Sequence, residues 1–178
     1  MSLILVPLDF SDCALNVLDE AVRFARAFRS RLMLLHASDP PRSLPLSAIV
    51  QPRDAQTPMR VEAVLRADAE AHMEPMLRVA RTRGIEAEAR VAFGPIAEVI
   101  LEVASQERAD MILLGTHGRT GLLRVALGSI AEDVLRHAEV PVITVRSQHH
   151  AGCAASSCGT CTVGQSDAER LVSAEDDG

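Results

Sequence analysis

Continuous apolar runs alternate along the chain with segments whose apolar residues recur every three or four positions. Runs of the first kind are typical of strands buried on both faces of a parallel sheet. Four of them cover residues 3–8, 32–37, 111–114 and 140–145, and a fifth segment, 85–93, alternates apolar with charged residues. The stripes between these segments predict amphipathic helices. The resulting order, β-α-β-α-β-α-β-α-β, predicts an α/β fold: a doubly wound five-stranded parallel sheet with helices on both faces.

Local signals refine these elements. The alternation over 85–93 predicts an edge strand with one face more exposed to solvent than the other. Five Pro residues between positions 40 and 58 predict an irregular excursion after the second strand. Pro75 falls inside the second helical stripe and predicts a kink or a break there. The motif Ser129-x-x-Glu132 predicts a capping box at the start of the last helix.

Length and charge divide the chain into a folded domain and a tail. Its 178 residues, 48% of them hydrophobic, suffice for one domain with a buried core, which we place at residues 1–147. That segment carries 17 Arg against 19 acidic residues, a net charge of −2. Residues 148–178 carry one Arg against five acidic residues, a net charge of −4, which predicts a flexible, solvated tail.

Composition also excludes several classes of function. All 18 basic residues are Arg, which excludes chemistry that needs Lys, such as Walker A phosphate binding or Schiff-base formation. The net charge of −6 and the aromatic content of 2% argue against a nucleic-acid partner. The first residues lack a basic leader, and no apolar stretch approaches the roughly 20 residues that span a bilayer. We therefore expect a cytoplasmic protein that makes no membrane contact.

The carboxyl edge of the sheet is where ligands bind in a doubly wound fold. The candidate ligand-binding positions are therefore Asp9, the loop after Ala37 and the loop after Leu114. Asp9 can hold a ligand there, or it can serve only as an acidic residue that favours the start of the first helix.

The glycine-rich segment after residue 114 is the strongest local signal. Gly115 and Gly118 are followed, after nine intervening residues, by Gly128-Ser129, at the start of a helix whose first amides lack intrahelical partners. These groups predict a cradle of backbone N–H donors for an anion, with the Ser129 hydroxyl as a further donor and Arg119 near the phosphate oxygens. The alternative is that the glycines only shape a turn and that Ser129 only caps the helix.

Much of the chain resembles a known family. The segments VPLDFSDCALNVLDEAVRFA and LLGTHGRTGLLRVALGSIAEDVLRHAEVPVITVR look like parts of a universal stress protein, and the resemblance covers residues 1 to about 147. Its most specific element is the glycine signature G-x2-G-x9-G-S/T, present as Gly115, Gly118, Gly128 and Ser129. The resemblance implies the ATP-binding branch of that family, its five-stranded parallel fold and a homodimer formed through the last strand.

The resemblance also implies roles for individual residues. It assigns the signature residues to the phosphates and ribose of ATP, Asp9 to the nucleoside, and the position after His36, which is Ala37, to the adenine pocket. Phe10 stands where the family often has Gly, and Ala37 stands where Val is common. We expect Phe10 to narrow or cover the nucleoside site and Ala37 to remove some apolar contact.

These observations predict an ATP-binding regulatory protein of the stress response, in which bound nucleotide changes the conformation or partner affinity of a homodimer. Mg²⁺ should accompany the triphosphate, since Arg alone must otherwise offset its charge. A slow ATPase or autophosphorylating enzyme is an alternative. His117 is the plausible base in the phosphate loop, although nothing in the sequence orients it.

A second constellation lies in the tail, where His150, Cys153, Cys158 and Cys161 are close in sequence. The spacing of Cys158 and Cys161 suits one metal ion or one disulfide, and Cys153 with a His would complete a tetrahedral site. Three alternatives therefore stay open for the tail: a metal sensor, a redox sensor, and a flexible segment with incidental Cys and His.

Overall fold

The computed structural model describes residues 2–11, 14–40, 43, 45–52, 56–116 and 128–145. Within these residues the helices are α1 (Ala14–Phe28), α2 (Val61–Thr82), α3 (Ile96–Gln106) and α4 (Ser129–His137). The strands are β1 (Leu3–Pro7), β2 (Arg31–Ser38), β3 (Ile49–Val50), β4 (Met59–Arg60), β5 (Ala87–Phe93), β6 (Met111–Gly115) and β7 (Val142–Val145).

The main sheet of the described chain is parallel throughout and has the strand order β5-β2-β1-β6-β7. This arrangement confirms the predicted fold class. β1 is central, with Ile4 opposite Leu32 on one side and Met111 on the other. β5 forms one edge, as its alternating pattern predicts, and β7 forms the other.

The hydrophobic core lies on both faces of this sheet. In β1, Ile4 and Val6 face the helices α1 and α2, whereas Leu3 and Leu5 face α3 and α4. All four side chains are at most 2% exposed. Because helices cover both faces, the central strands need unbroken apolar runs, and these runs are what make the strands visible in the sequence.

The excursion between β2 and α2 is more ordered than its prolines predict. β3 pairs with β4 in an antiparallel hairpin, and the Val61 N–H, at the start of α2, donates to the Ala48 carbonyl at 2.9 Å. The prediction of a wholly irregular excursion was therefore wrong. Two-residue strands contain too few positions to show a period in the sequence.

α2 runs through Pro75 without a break. A proline removes one N–H from the helical ladder, but Pro75 is exposed to solvent. The buried side chains of Met73 and Leu77 flank it and hold the helix against the core. The predicted break is therefore absent, and the alternative, a kink at Pro75, stays a prediction. Neither α2 nor any other helix of the described chain is long and apolar enough to cross a membrane.

Candidate functional site

The strand order fixes the switch point of the sheet. β1 lies between β2 and β6; the helices that follow β1 and β2 pack on one face, and those that follow β5 and β6 pack on the other. Connections therefore diverge to opposite faces between β1 and β6, which is the switch point where doubly wound proteins bind ligands. The segments that follow β1, β2 and β6 begin at this edge, at Leu8, Asp39 and Thr116.

Asp9 lies two residues after the end of β1 and is half-buried. Its Oδ1 accepts the backbone N–H of Ser11 at 3.1 Å, a local turn at the approach to α1. Within the described residues this is the hydrogen bond that the Asp9 side chain makes, and its Oδ2 takes no part in it. The Ser11 amide thus orients the carboxylate through one of its two oxygens.

Phe10, the next residue, has a φ of 56° in the left-handed region. Its ring packs against the core on the α1 and α2 face and stacks on the His36 ring, with centroids 4.2 Å apart. These contacts place the ring against the core side of the loop. That Phe10 narrows or covers the nucleoside site stays a prediction.

Ala37 lies in β2, where it is half-buried and pairs in register with Ala92 of β5. The Leu8 N–H donates to the Leu35 carbonyl at 2.8 Å, which extends the β1–β2 pairing up to the residue before Asp9. The carboxyl ends of β1 and β2 are therefore neighbours, as parallel pairing requires. Asp9 and Ala37 come to the same edge of the sheet.

The end of β6 is tied to the start of α4. The Thr116 N–H donates to the Val145 carbonyl at 3.0 Å, and the Thr116 carbonyl accepts the Gly128 N–H at 2.9 Å. A Cβ at position 128 would lie 3.2 Å from the Thr116 carbonyl oxygen, tighter than an ordinary contact. Glycine at this position is therefore explained by the close approach of two backbone segments.

This contact corrects one part of the predicted anion cradle. The Gly128 N–H was expected to point at a ligand, but it donates within the protein to Thr116. Its contribution is to fix where α4 begins, next to the end of β6. The donors that remain for an anion in the described segment belong to the first turn of α4, where the amides of Ser129 and the next two residues precede the first intrahelical bond, from Glu132 to the Gly128 carbonyl.

The predicted capping box is wrong. The N-cap of α4 is Gly128, with φ −73° and ψ 153°, and Ser129 is the first helical residue. Ser129 is thus one position too late for its hydroxyl to cap, and Glu132 pairs with Arg136 at 2.8 Å instead. No hydrogen bond of the Ser129 hydroxyl falls within the described residues, and Ser129 is exposed at the first position of α4.

We expect Ser129→Ala to change the free energy of unfolding by less than about 0.5 kcal/mol, because the hydroxyl caps nothing in the described chain. Loss of a true serine N-cap costs about 1 kcal/mol. Urea unfolding followed by circular dichroism measures the difference. A destabilisation of about 1 kcal/mol would reinstate the capping-box interpretation.

Thr116 is a site residue that the sequence analysis missed. It is 6% exposed, and its backbone donates to Val145 of β7 and accepts from Gly128 at the start of α4. The sequence feature that could have indicated this role is its position directly after Gly115, at the end of an apolar run. The bond to Gly128 could not be read from the sequence because 11 residues separate its two ends.

Several predicted residues lie outside the described residues. These are Gly118, Arg119 and His117 in the loop before α4, and the tail candidates His150, Cys153, Cys158 and Cys161. In the part of the chain that the structure describes, no group of three or more His, Cys, Asp or Glu side chains could hold a metal ion.

The fold defines a class: an α/β protein built on a five-stranded doubly wound parallel sheet. More particularly, the chain belongs to the universal stress protein family, whose sequence profile matches residues 1–146. A universal stress protein of Methanocaldococcus jannaschii is 28% identical over 144 residues, which cover 80% of this chain and 81% of that one. A universal stress protein of Thermus aquaticus is 32% identical over 143 residues, with 80% and 97% covered.

Solved structures share the fold. MJ0577 of M. jannaschii is 25% identical, with a TM-score of 0.66 over 83% of this chain and 97% of that chain. A universal stress protein in complex with cAMP is 22% identical with a TM-score of 0.60, covering 83% of this chain and 98% of its own. One from Archaeoglobus fulgidus in complex with dAMP is 23% identical with a TM-score of 0.57, covering 81% and 97%. At these last two identities the likeness concerns the fold.

Proposed function

We propose that this protein is a nucleotide-binding regulatory module of the stress response that takes ATP at the carboxyl ends of β1, β2 and β6. The observation that carries the proposal is the contact between the Gly128 N–H and the Thr116 carbonyl at 2.9 Å. It holds the positive end of α4 at the switch point of the sheet, where its first amides and the Ser129 hydroxyl can meet a phosphate.

The remaining groups divide between the nucleoside and the phosphates. Asp9 accepts hydrogen bonds from the nucleoside through the oxygen that Ser11 does not use. Ala37 lines the adenine pocket at the end of β2. Gly115 and Gly118 allow the phosphate loop to approach the ligand closely, and Arg119 neutralises phosphate charge. A Cβ at position 128 would crowd the Thr116 carbonyl, so glycine there suits this cradle.

Mg²⁺ accompanies the triphosphate in this proposal. The chain has a formal net charge of −6, which makes a bare polyanion an unfavourable ligand. The described residues offer no cluster of side chains that would hold the ion by themselves. Mg²⁺ usually keeps several waters and binds largely through substrate phosphates, which fits a site of this composition.

Family membership makes a nucleotide the first ligand to test. Members of the family have been solved with cAMP and with dAMP, so nucleotides occur in more than one of its proteins. ATP is our choice for this chain because the helix N-terminus and the glycine signature are suited to phosphate groups beyond the first.

A homodimer through β7 completes the proposal. β7 is an edge strand of the described sheet, paired with β6 on one side. Its Val142, Ile143 and Val145 side chains are half-buried, whereas Thr144 is exposed. A second copy of β7 would satisfy the main-chain groups on the open side and cover the apolar side chains.

Isothermal titration of the protein with ATP and excess Mg²⁺ tests the nucleotide proposal. We expect saturable binding with a dissociation constant below about 1 mM, and several-fold weaker binding when EDTA replaces Mg²⁺. Ser129→Ala is the matched variant, because it removes a ligand donor from a position where we expect no loss of stability. No detectable heat at about 5 mM ATP would contradict the proposal.

A further inference from the structure

Three aromatic rings form a cluster beside the candidate site, and the roles assigned above do not use them. The Phe10 ring stacks on His36, with planes 17° apart and centroids separated by 4.2 Å. The His72 ring of α2 lies 5.4 Å from Phe10 at an angle of 31°. We call Phe10, His36 and His72 the ring cluster.

The backbone of Phe10 is strained at this position. Its φ of 56° is one that residues with a side chain adopt rarely and at a cost. Strained residues of this kind persist only where surrounding contacts hold them, and they occur often at ligand sites. Phe10 follows Asp9, the residue that we assign to the nucleoside.

The two histidines are themselves fixed to separate elements. His36 lies in β2, and its Nδ1 donates to the Leu8 carbonyl at 3.0 Å, because a carbonyl oxygen can only accept. His72 lies on α2, where its Nδ1 donates to the Asp68 carbonyl at 2.8 Å. The Phe10 ring is therefore held between a strand and a helix of the folded core.

The left-handed turn at Phe10 governs the placement of Asp9. It brings the Ser11 N–H back to within 3.1 Å of the Asp9 Oδ1. If Phe10 relaxed to an extended conformation, Ser11 would move away and the Asp9 carboxylate would lose its partner. The contacts that hold the Phe10 ring are thus the contacts that keep the carboxylate oriented.

We propose that Phe10 is a positioning residue whose ring, held by His36 and His72, maintains the turn that presents Asp9 to the nucleotide. This inference rests on the proposed function, since it gives Phe10 a share in the affinity for that ligand. A loop that is already ordered loses less conformational freedom when the ligand binds, so the ring cluster raises affinity without touching the ligand.

Phe10→Gly and Phe10→Tyr test this inference. Glycine adopts a φ of 56° without strain but has no ring, whereas tyrosine keeps the ring and the stacking. We expect Phe10→Gly to weaken ATP binding by about tenfold and to speed hydrogen exchange of the Ser11 amide, measured by NMR without nucleotide. Phe10→Tyr should restore both to within about threefold of wild type.

Relief of backbone strain alone predicts the opposite change in ATP affinity. If only the strain at Phe10 mattered, Phe10→Gly would bind ATP as well as wild type or better. Unchanged ATP affinity in Phe10→Gly overturns the inference, whatever the Ser11 amide does. Phe10→Leu removes the ring but keeps apolar bulk against the core, and it replaces Phe10→Gly in the test if Phe10→Gly does not fold. We expect Phe10→Leu to show the same loss of ATP affinity and the same faster hydrogen exchange of the Ser11 amide. Wild-type affinity and exchange in Phe10→Leu would overturn the inference.

Failure of the proposed function gives a different result. If wild type binds no ATP, the nucleotide proposal fails, and the Ser11 exchange measured without ligand then decides the positioning role by itself. Faster exchange in Phe10→Gly with recovery in Phe10→Tyr supports that role, and equal exchange in all three proteins contradicts it.

Discussion

Replacing Gly128 by valine is expected to lower ATP affinity at least about tenfold and to destabilise the fold by about 1–2 kcal/mol. The new Cβ would start 3.2 Å from the Thr116 carbonyl oxygen, and the γ carbons add further bulk. Because that oxygen belongs to the backbone of a strand end, the start of α4 must move instead. The 2.9 Å hydrogen bond from the Gly128 N–H to the Thr116 carbonyl is then lost, and the first-turn amides of α4 move away from the switch point of the sheet.

Gly84→Ala is the matched control for this substitution. Gly84 lies two residues after the end of α2, has a φ of 79° and has open space around it, so alanine there strains the backbone without a steric clash. We expect a loss of about 1 kcal/mol in unfolding free energy and unchanged ATP affinity. Calorimetry and urea unfolding of both variants separate the two effects. Wild-type affinity in folded Gly128→Val would refute the role assigned to the start of α4.

Leu113→Ala is expected to destabilise the protein by about 3 kcal/mol. The Leu113 side chain is 0% exposed and packs in the core on the α1 and α2 face of β6. Truncation removes buried apolar surface and leaves a cavity that the close-packed sheet can fill only in part. Urea unfolding gives the free energy, with wild type as the reference.

Leu135→Ala makes the same chemical change at a position that is 42% exposed. Its expected cost is below about 1 kcal/mol, since much of that side chain is already in water. ATP affinity of folded Leu113→Ala should stay within about threefold of wild type, because Leu113 contributes to the core and not to the proposed ligand site. Equal destabilisation by the two variants would contradict the core described above.

The main sheet could be predicted because burial on both faces produces a simple pattern. Leu3 to Val6 must all be apolar, since alternate residues face opposite helices. The edge strand β5 was equally visible, because its wetter face produces alternation. The hairpin β3–β4 was not predicted, since it is held by local backbone hydrogen bonds that many sequences can form.

The edge of the sheet that carries the candidate site was predicted for a similar reason. Parallel strands end at one edge, so Asp9 and the loop after Ala37 were expected at the same edge, and the pairing of β1 with β2 brings them there. The role of Gly128 was misjudged, because the Thr116 carbonyl that takes its N–H lies far away in the sequence. The capping box failed by one position, since the sequence Gly-Ser offers two adjacent residues that can both begin a helix. The φ of Phe10 depends on tertiary contacts and leaves no local signal.

The central claim is that the first turn of α4 binds the phosphates of a nucleotide at the switch point of the sheet. An amide NMR titration with ATP and Mg²⁺ tests it most directly. We predict saturable shifts that are largest for the amides of Ser129 and Ile130 and for Asp9, with a smaller shift at Gly128, whose N–H is already bonded to Thr116. Shifts confined to other surfaces, or no shifts at about 5 mM ATP, would contradict the account.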